Sequence, residues 1–201
     1  MLSNAFGYPL ADDDRLKTHL IGSLLVVGSV LVVPLFVLFG YFVRTVNHAI
    51  DGRPVPRFEA YGELIVDGLK LTGIGIAYFL GLLLAMFGVA LLGSLSETAG
   101  TVGFLLLVPA YFGLLYVSTS VLYHFARRRR IGDAFDLRAV AGTALSLRYL
   151  LVVVLVWVVL PTAFAVLQVL IGLTIVGLLL IPATLVYELI VYGKLIGDLE
   201  P

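Results

Sequence analysis

Residues 149–187 read YLLVVVLVWVVLPTAFAVLQVLIGLTIVGLLLIPATLVY, 39 residues without a charged side chain between Arg148 and Glu188. As one helix this run would be roughly 58 Å long at about 1.5 Å per residue. A hydrocarbon core of about 30 Å takes about 20 apolar residues per span, and tilt does not absorb such an excess. The run therefore has to fold as two spans joined by a tight turn. The turn is expected between Gln168 and Thr174, where Gln168, Gly172 and Thr174 interrupt the apolar residues.

Working outward, three more charge-free runs extend from Leu20 to Val43, Leu71 to Ser96 and Thr98 to Tyr123. Together they predict an all-α integral membrane protein, one polytopic domain over 1–201. Its five spans are expected near 20–46, 71–94, 100–125, 149–168 and 172–193. Composition agrees: 61% of the 201 residues are hydrophobic, 13% are charged, and mean hydropathy is +1.09. A soluble domain carries about 25% charged residues. A soluble globular protein, a disordered tail and a basic nucleic-acid binder are thereby excluded. The absence of Cys excludes disulfides, thiolate metal sites and Cys nucleophiles. Asp12, Asp13 and Asp14 precede the first run and read as helix N-caps rather than as part of a secretory signal.

With five spans, one side holds Arg44, Arg53, Arg57, Lys70, Arg127, Arg128, Arg129, Arg130, Arg138, Arg148 and Lys194, and the other only Arg15 and Lys17. The positive-inside rule then makes the first side cytoplasmic, with the N-terminus outside and the C-terminus inside a cell membrane.

An internal repeat of about 75 residues is expected from two landmarks in step. Pro34, Pro109 and Pro182 each lie in an apolar run and are followed by Tyr41, Tyr116 and Tyr187. Phe58 and Phe135, and more faintly Phe6, each open a polar-flecked segment that ends at a basic residue where a span begins. Two complete units cover roughly 56–130 and 133–198, and the first unit keeps only its Pro helix. The segments 56–70 and 133–147 are expected to be amphipathic and interfacial. In the first, Phe58, Tyr61, Leu64, Ile65 and Leu69 face Glu59, Glu63, Asp67 and Lys70 across the helix.

Gly73, Ala77, Gly81 and Ala85 put a small residue at every fourth position of the second span. Such a face lets helices approach closely, and is read as contact with another helix of this chain, or else with a second copy. Pro34, Pro109 and Pro182 are expected to kink their helices. His19, His48 and His124 sit at span ends without metal-ligand spacing, so no metal or other cofactor is expected. Phosphate loops, nucleophile elbows and kinase signatures do not occur. No charge sits in the middle of a span, Glu188 being the nearest, which argues against an ion-coupled transporter. Arg127, Arg128, Arg129 and Arg130 form a run suited to anionic lipid headgroups.

The first loop carries a family pattern. Pro34, Gly40-Tyr41-Phe42-Val43-Arg44, Asp51-Gly52-Arg53-Pro54-Val55-Pro56-Arg57-Phe58, Gly62-Glu63-Leu64 and Asp67-Gly68-Leu69-Lys70 resemble the archaeal membrane family called domain of unknown function 4013. Tyr8-Pro9 and Ile21-Gly22 fit it too, whereas Val55-Pro56 stands where the family has Pro-Pro. The resemblance covers residues 6 to 80 most closely and is looser beyond. It implies an archaeal cell membrane and several spans, and no activity. The expected function is therefore non-catalytic: a membrane-embedded binding, scaffold or regulatory component. Its partners would be membrane lipids, with a second copy or another membrane protein, and no nucleic acid. A small oligomeric transporter or channel for an apolar solute or lipid is the alternative, and a lipid-modifying enzyme is the last choice.

Overall fold

The computed structural model describes residues 2–11 and 14–199, and among them every regular element is helical. A short helix α1 (Leu2–Gly7) and a 3-10 turn (Tyr8–Leu10) lead into α2 (Arg15–Gly28) and α3 (Val32–Ile50). An irregular segment, 51–60, then precedes α4 (Tyr61–Leu95) and α5 (Glu97–Arg128). A 3-10 turn (Ile131–Phe135) and α6 (Leu137–Ala144) follow. The last hairpin is α7 (Leu147–Val154), a π turn (Leu155–Val159) and α8 (Leu160–Gly172), returning as α9 (Ile175–Gly197). Among the described residues, five helices are long and apolar enough to cross a membrane: Val32–Ile50, Tyr61–Leu95, Glu97–Arg128, Leu147–Gly172 and Ile175–Gly197.

The first of these differs from the span expected at 20–46. The chain breaks at Ser29–Leu31 and turns back, so α2 and α3 form a hairpin. The turn is closed by the amide of Ser29 donating to Val26 O at 3.1 Å and that of Leu31 to Gly28 O at 2.8 Å. Pro34 consequently sits in the first turn of α3, where its missing N–H has no helical partner to lose. It does not kink the helix, whereas Pro109 and Pro182 are inside theirs. Pro161 works differently again. Lacking an N–H for the carbonyl one turn earlier, it stands two residues past the π turn of Leu155–Val159, where the helix widens.

The hairpin changes where the N-terminus lies. Asp14 pairs with Arg57 at 2.7 Å, the Tyr8 hydroxyl donates to Arg53 O at 2.8 Å, and Lys194 stands 5.3 Å from the centre of the Tyr8 ring. Asn47 Nδ2 donates to Ala126 O at 3.0 Å. The N-terminal segment, the 51–60 segment, the end of α5 and the end of α9 thus share one end of the bundle. These contacts set Tyr8 and Asp14 beside the basic segments, where the expectation had the N-terminus opposite them. The Asp14 side chain accepts no capping hydrogen bond, and Asp12 and Asp13 lie outside the described residues.

α3 is the central helix and packs on α4 and α9. Gly40 and Gly68 make the α3–α4 contact: a Cβ on Gly40 would lie 1.8 Å from Leu64 O, and one on Gly68 2.0 Å from Phe36 O. Only a hydrogen at each position lets the two backbones meet. α9 lies parallel to α3, with Gly193 against Thr45 and Gly197 against Ala49. That register sets Pro182 beside the level of Pro34. A main core gathers Val43, Phe125, Tyr149, Val191 and Leu195, and a smaller one gathers Tyr41, Phe58, Leu64 and Ile190.

Candidate functional site

Polar side chains concentrate at the end where the N-terminal segment meets the end of α9. Arg44 is buried; its guanidinium donates to Glu59 O at 2.8 Å and pairs with Glu63 at 3.2 Å. Arg129 adopts a left-handed backbone at the end of α5, with φ of 54°. From there it reaches Asp67 at 3.3 Å and Glu63 at 3.8 Å. Lys70 stands 3.7 Å from Asp67 and 3.5 Å from Arg129 O, to which it donates. Asp67 is only 3% exposed. A carboxylate so buried needs these cations, because burying an unpaired charge costs several kcal/mol, roughly 3–5 when one partner is removed.

The segment 56–70 therefore departs from the expected surface helix. It is irregular to Ala60, and from Tyr61 it is the first part of the same long α4 that carries the apolar residues. Asp67, on the face expected to meet water, turns inward to Arg129. In the 133–147 segment, Val140 and Ala144 are buried while Leu137 and Leu145 are exposed.

Tyrosine hydroxyls tie the segments to the bundle. Tyr41 donates to Pro56 O at 3.1 Å, Tyr116 to Ala144 O at 2.6 Å, and Tyr187 to Phe6 O at 2.7 Å. Each of these tyrosines follows one of the three prolines, and each acceptor lies in a segment that precedes a hairpin. Tyr78 donates to Ala134 O at 2.8 Å, and its ring stacks on Phe135 as that of Tyr41 does on Phe58. Burial raises the Tyr8 hydroxyl well above the usual phenol range, although Arg53 opposes the shift, so Tyr8 stays a donor.

The histidines are spread out: His19 bonds Arg15 O, His48 bonds Pro54 O, and His124 meets Thr143. No group of His, Asp and Glu among the described residues could hold a metal ion. Glu63 and Asp67 come together; Glu188 instead bonds Gln168 at 3.2 Å and Tyr192. Arg44, His48, Arg57 and Glu59 line a polar cavity of about 500 Å³. A cavity of about 590 Å³ between α3, α4 and α5 is almost wholly apolar and is lined by Phe39, Leu71, Tyr78, Leu115 and Ser118 among others.

Of the arginine run, Arg129 is engaged with Glu63 and Asp67; Arg127, Arg128 and Arg130 make no ion pair among the described residues. The small-residue face lies elsewhere than expected. Gly73, Ala77, Gly81 and Ala85 are all exposed, and nothing lies within 4 Å of a Cβ built on Gly73 or Gly81. Among the described residues, no other helix covers them. The glycines that bring α3 and α4 together, Gly40 and Gly68, were visible only as parts of Gly40-Tyr41 and Asp67-Gly68 in the family pattern.

Long apolar hairpins with their polar groups gathered at one end define a multi-pass helical membrane protein. The chain belongs to the family described as a protein of unknown function, DUF4013, whose model matches residues 23–181. The match runs well past residue 80 and leaves residues 6–22 outside it. No curated protein and no solved structure matches the chain.

Proposed function

We propose that this chain is a non-catalytic scaffold of the cell membrane, made of three repeats of one unit. Each unit is a surface segment followed by a helical hairpin whose second helix carries a proline and a tyrosine. The observation that carries the reading is the set of three tyrosine bonds. Tyr41 of the first hairpin holds the segment before the second, Tyr116 of the second holds the segment before the third, and Tyr187 of the third holds the segment before the first. The links close into a ring. The parallel register of α3 and α9, with Pro34 level with Pro182, supports the same reading. On it the first unit is complete, with α2 as its shortened first helix.

The sidedness follows from charge. With the N-terminal segment at the common end, all 13 Lys and Arg residues fall on that side of the bundle. The distal turns hold Ser29, Ser94, Ser96, Glu97 and Thr174 and no basic residue. Basic residues stay cytoplasmic, so both termini are placed inside. Arg127, Arg128 and Arg130 are then free to meet anionic headgroups there. A carrier for an apolar solute or lipid is the second reading, and the apolar cavity of about 590 Å³ favours it.

Affinity purification from native membranes, paired with reconstitution of the purified chain into liposomes, separates the two. The scaffold reading predicts a stoichiometric membrane-protein partner and no flux. Movement of a lipid or apolar solute by the chain alone would overturn it in favour of the carrier.

A further inference from the structure

The three hairpins reach unequal distances. α3 and α5 run side by side, with Asn47 at Ala126. In that register Val32, the first residue of α3, is level with Tyr111. Residues 97–110 of α5 therefore lie beyond the first hairpin, and by the closer contacts of Gly40 with Leu64 and Gly68 with Phe36 so do residues 73–95 of α4. α9 begins five residues further out than α3, or ~8 Å. α2 has 14 residues, ~21 Å, against the ~30 Å of a hydrocarbon core.

The tips differ in chemistry as well. The α4–α5 turn carries Ser94, Ser96, Glu97 and Thr98, groups suited to water. The α2–α3 turn exposes Val30 at 90%, Leu31 at 70%, Val32 at 63% and Val33 at 59%. Its only polar side chain, Ser29, donates to Val26 O at 2.6 Å. With the amides of Ser29 and Leu31 also bonded within the turn, these groups are satisfied without water, as lipid requires.

We infer that the α2–α3 hairpin does not cross the membrane: it is a re-entrant wedge whose tip, Val30–Val33, ends among the acyl chains. The ligand of this surface is thus lipid hydrocarbon. Exposed Leu16, Leu20, Leu24 and Val27 carry its apolar surface down α2 towards the interface. The sidedness, though not the depth, rests on the topology proposed above.

The chain has no Cys, so single cysteines report cleanly. Val30→Cys, Leu95→Cys and Ile131→Cys all fall at exposed positions. They are treated with a membrane-impermeant maleimide in intact cells, after permeabilisation of the membrane, and in detergent. The expected pattern is labelling of Leu95→Cys in intact cells and of Ile131→Cys only after permeabilisation. Val30→Cys should label at least tenfold less than either until detergent is added. Labelling of Val30→Cys in intact cells to the level of Leu95→Cys would overturn the wedge in favour of a full crossing. Labelling like Ile131→Cys would overturn it by placing the hairpin in water. Reversal of the Leu95 and Ile131 results would defeat the sidedness while leaving the Val30 result to decide the depth. A nitroxide on Val30→Cys in liposomes gives a second readout: relaxation by oxygen exceeding that by a water-soluble nickel chelate supports the wedge, and the reverse contradicts it.

Discussion

One helix contains two different kinds of membrane-protein surface. In α4, residues 61–72 meet α3 through the backbone at Gly68 and bury Leu64 and Asp67. Beyond Ile74 no residue of α4 is buried, and Gly73 and Gly81 face open space. The first part is held to α3 by close backbone contact and by ion pairs, the second by α5, by Tyr78 on Ala134 and Phe135, and by the surrounding lipid. A glycine inside an apolar helix thus has no fixed meaning; its neighbours decide whether it is essential or idle.

The largest effect that tests this contrast comes from Gly40→Leu or Gly68→Leu. Either side chain would meet a backbone carbonyl at 2.0 Å or less. Loss of more than about 4 kcal/mol is expected, in the range of severe overpacking. Size-exclusion chromatography in mild detergent should show no folded peak. Next comes Arg129→Ala, which leaves Asp67 buried with only the more distant Lys70; a loss of roughly 3–5 kcal/mol is expected. Adding Asp67→Asn to Arg129→Ala should recover part of it, measured by thermal unfolding of the two variants together. Tyr41→Phe removes the hydrogen bond to Pro56 O while keeping the stack on Phe58, and should cost about 1 kcal/mol. Tyr116→Phe should behave alike at Ala144 O, lowering the melting temperature by a few degrees. The smallest effect should be Gly81→Leu, within about 0.5 kcal/mol of the parent as for an uncovered surface position. A Gly81→Leu protein as unstable as Gly68→Leu would erase the distinction between the two parts.

Hydropathy made the helical class and the number of long apolar helices legible, because the bilayer acts on every span in the same way. It split residues 149–187 because 39 residues cannot be one span. The same test missed the break at Ser29–Leu31. The run from Leu20 to Val43 has 24 residues, an acceptable single span, and its turn is as apolar as its arms. The polar end was harder to read. A helical wheel sends Asp67 to water because it knows only the residues of its own helix. Arg129, which draws Asp67 inward, arrives from a turn some sixty residues later. The small-residue face was plain as a pattern, but its burial depends on which helix lies beside it, and local sequence does not encode that. Pro34 misled for a related reason: its effect depends on whether a helix is already under way, and α3 starts only two residues before it.

The central claim is that three hairpins return to one end, so both termini share a side of the membrane. Epitope tags placed ahead of Leu2 and after Leu199 test it directly by antibody binding to intact and permeabilised cells. The account predicts that neither tag binds in intact cells and that both bind once the membrane is opened. An N-terminal tag that binds in intact cells while the C-terminal tag stays hidden would mean an odd number of crossings and would contradict it.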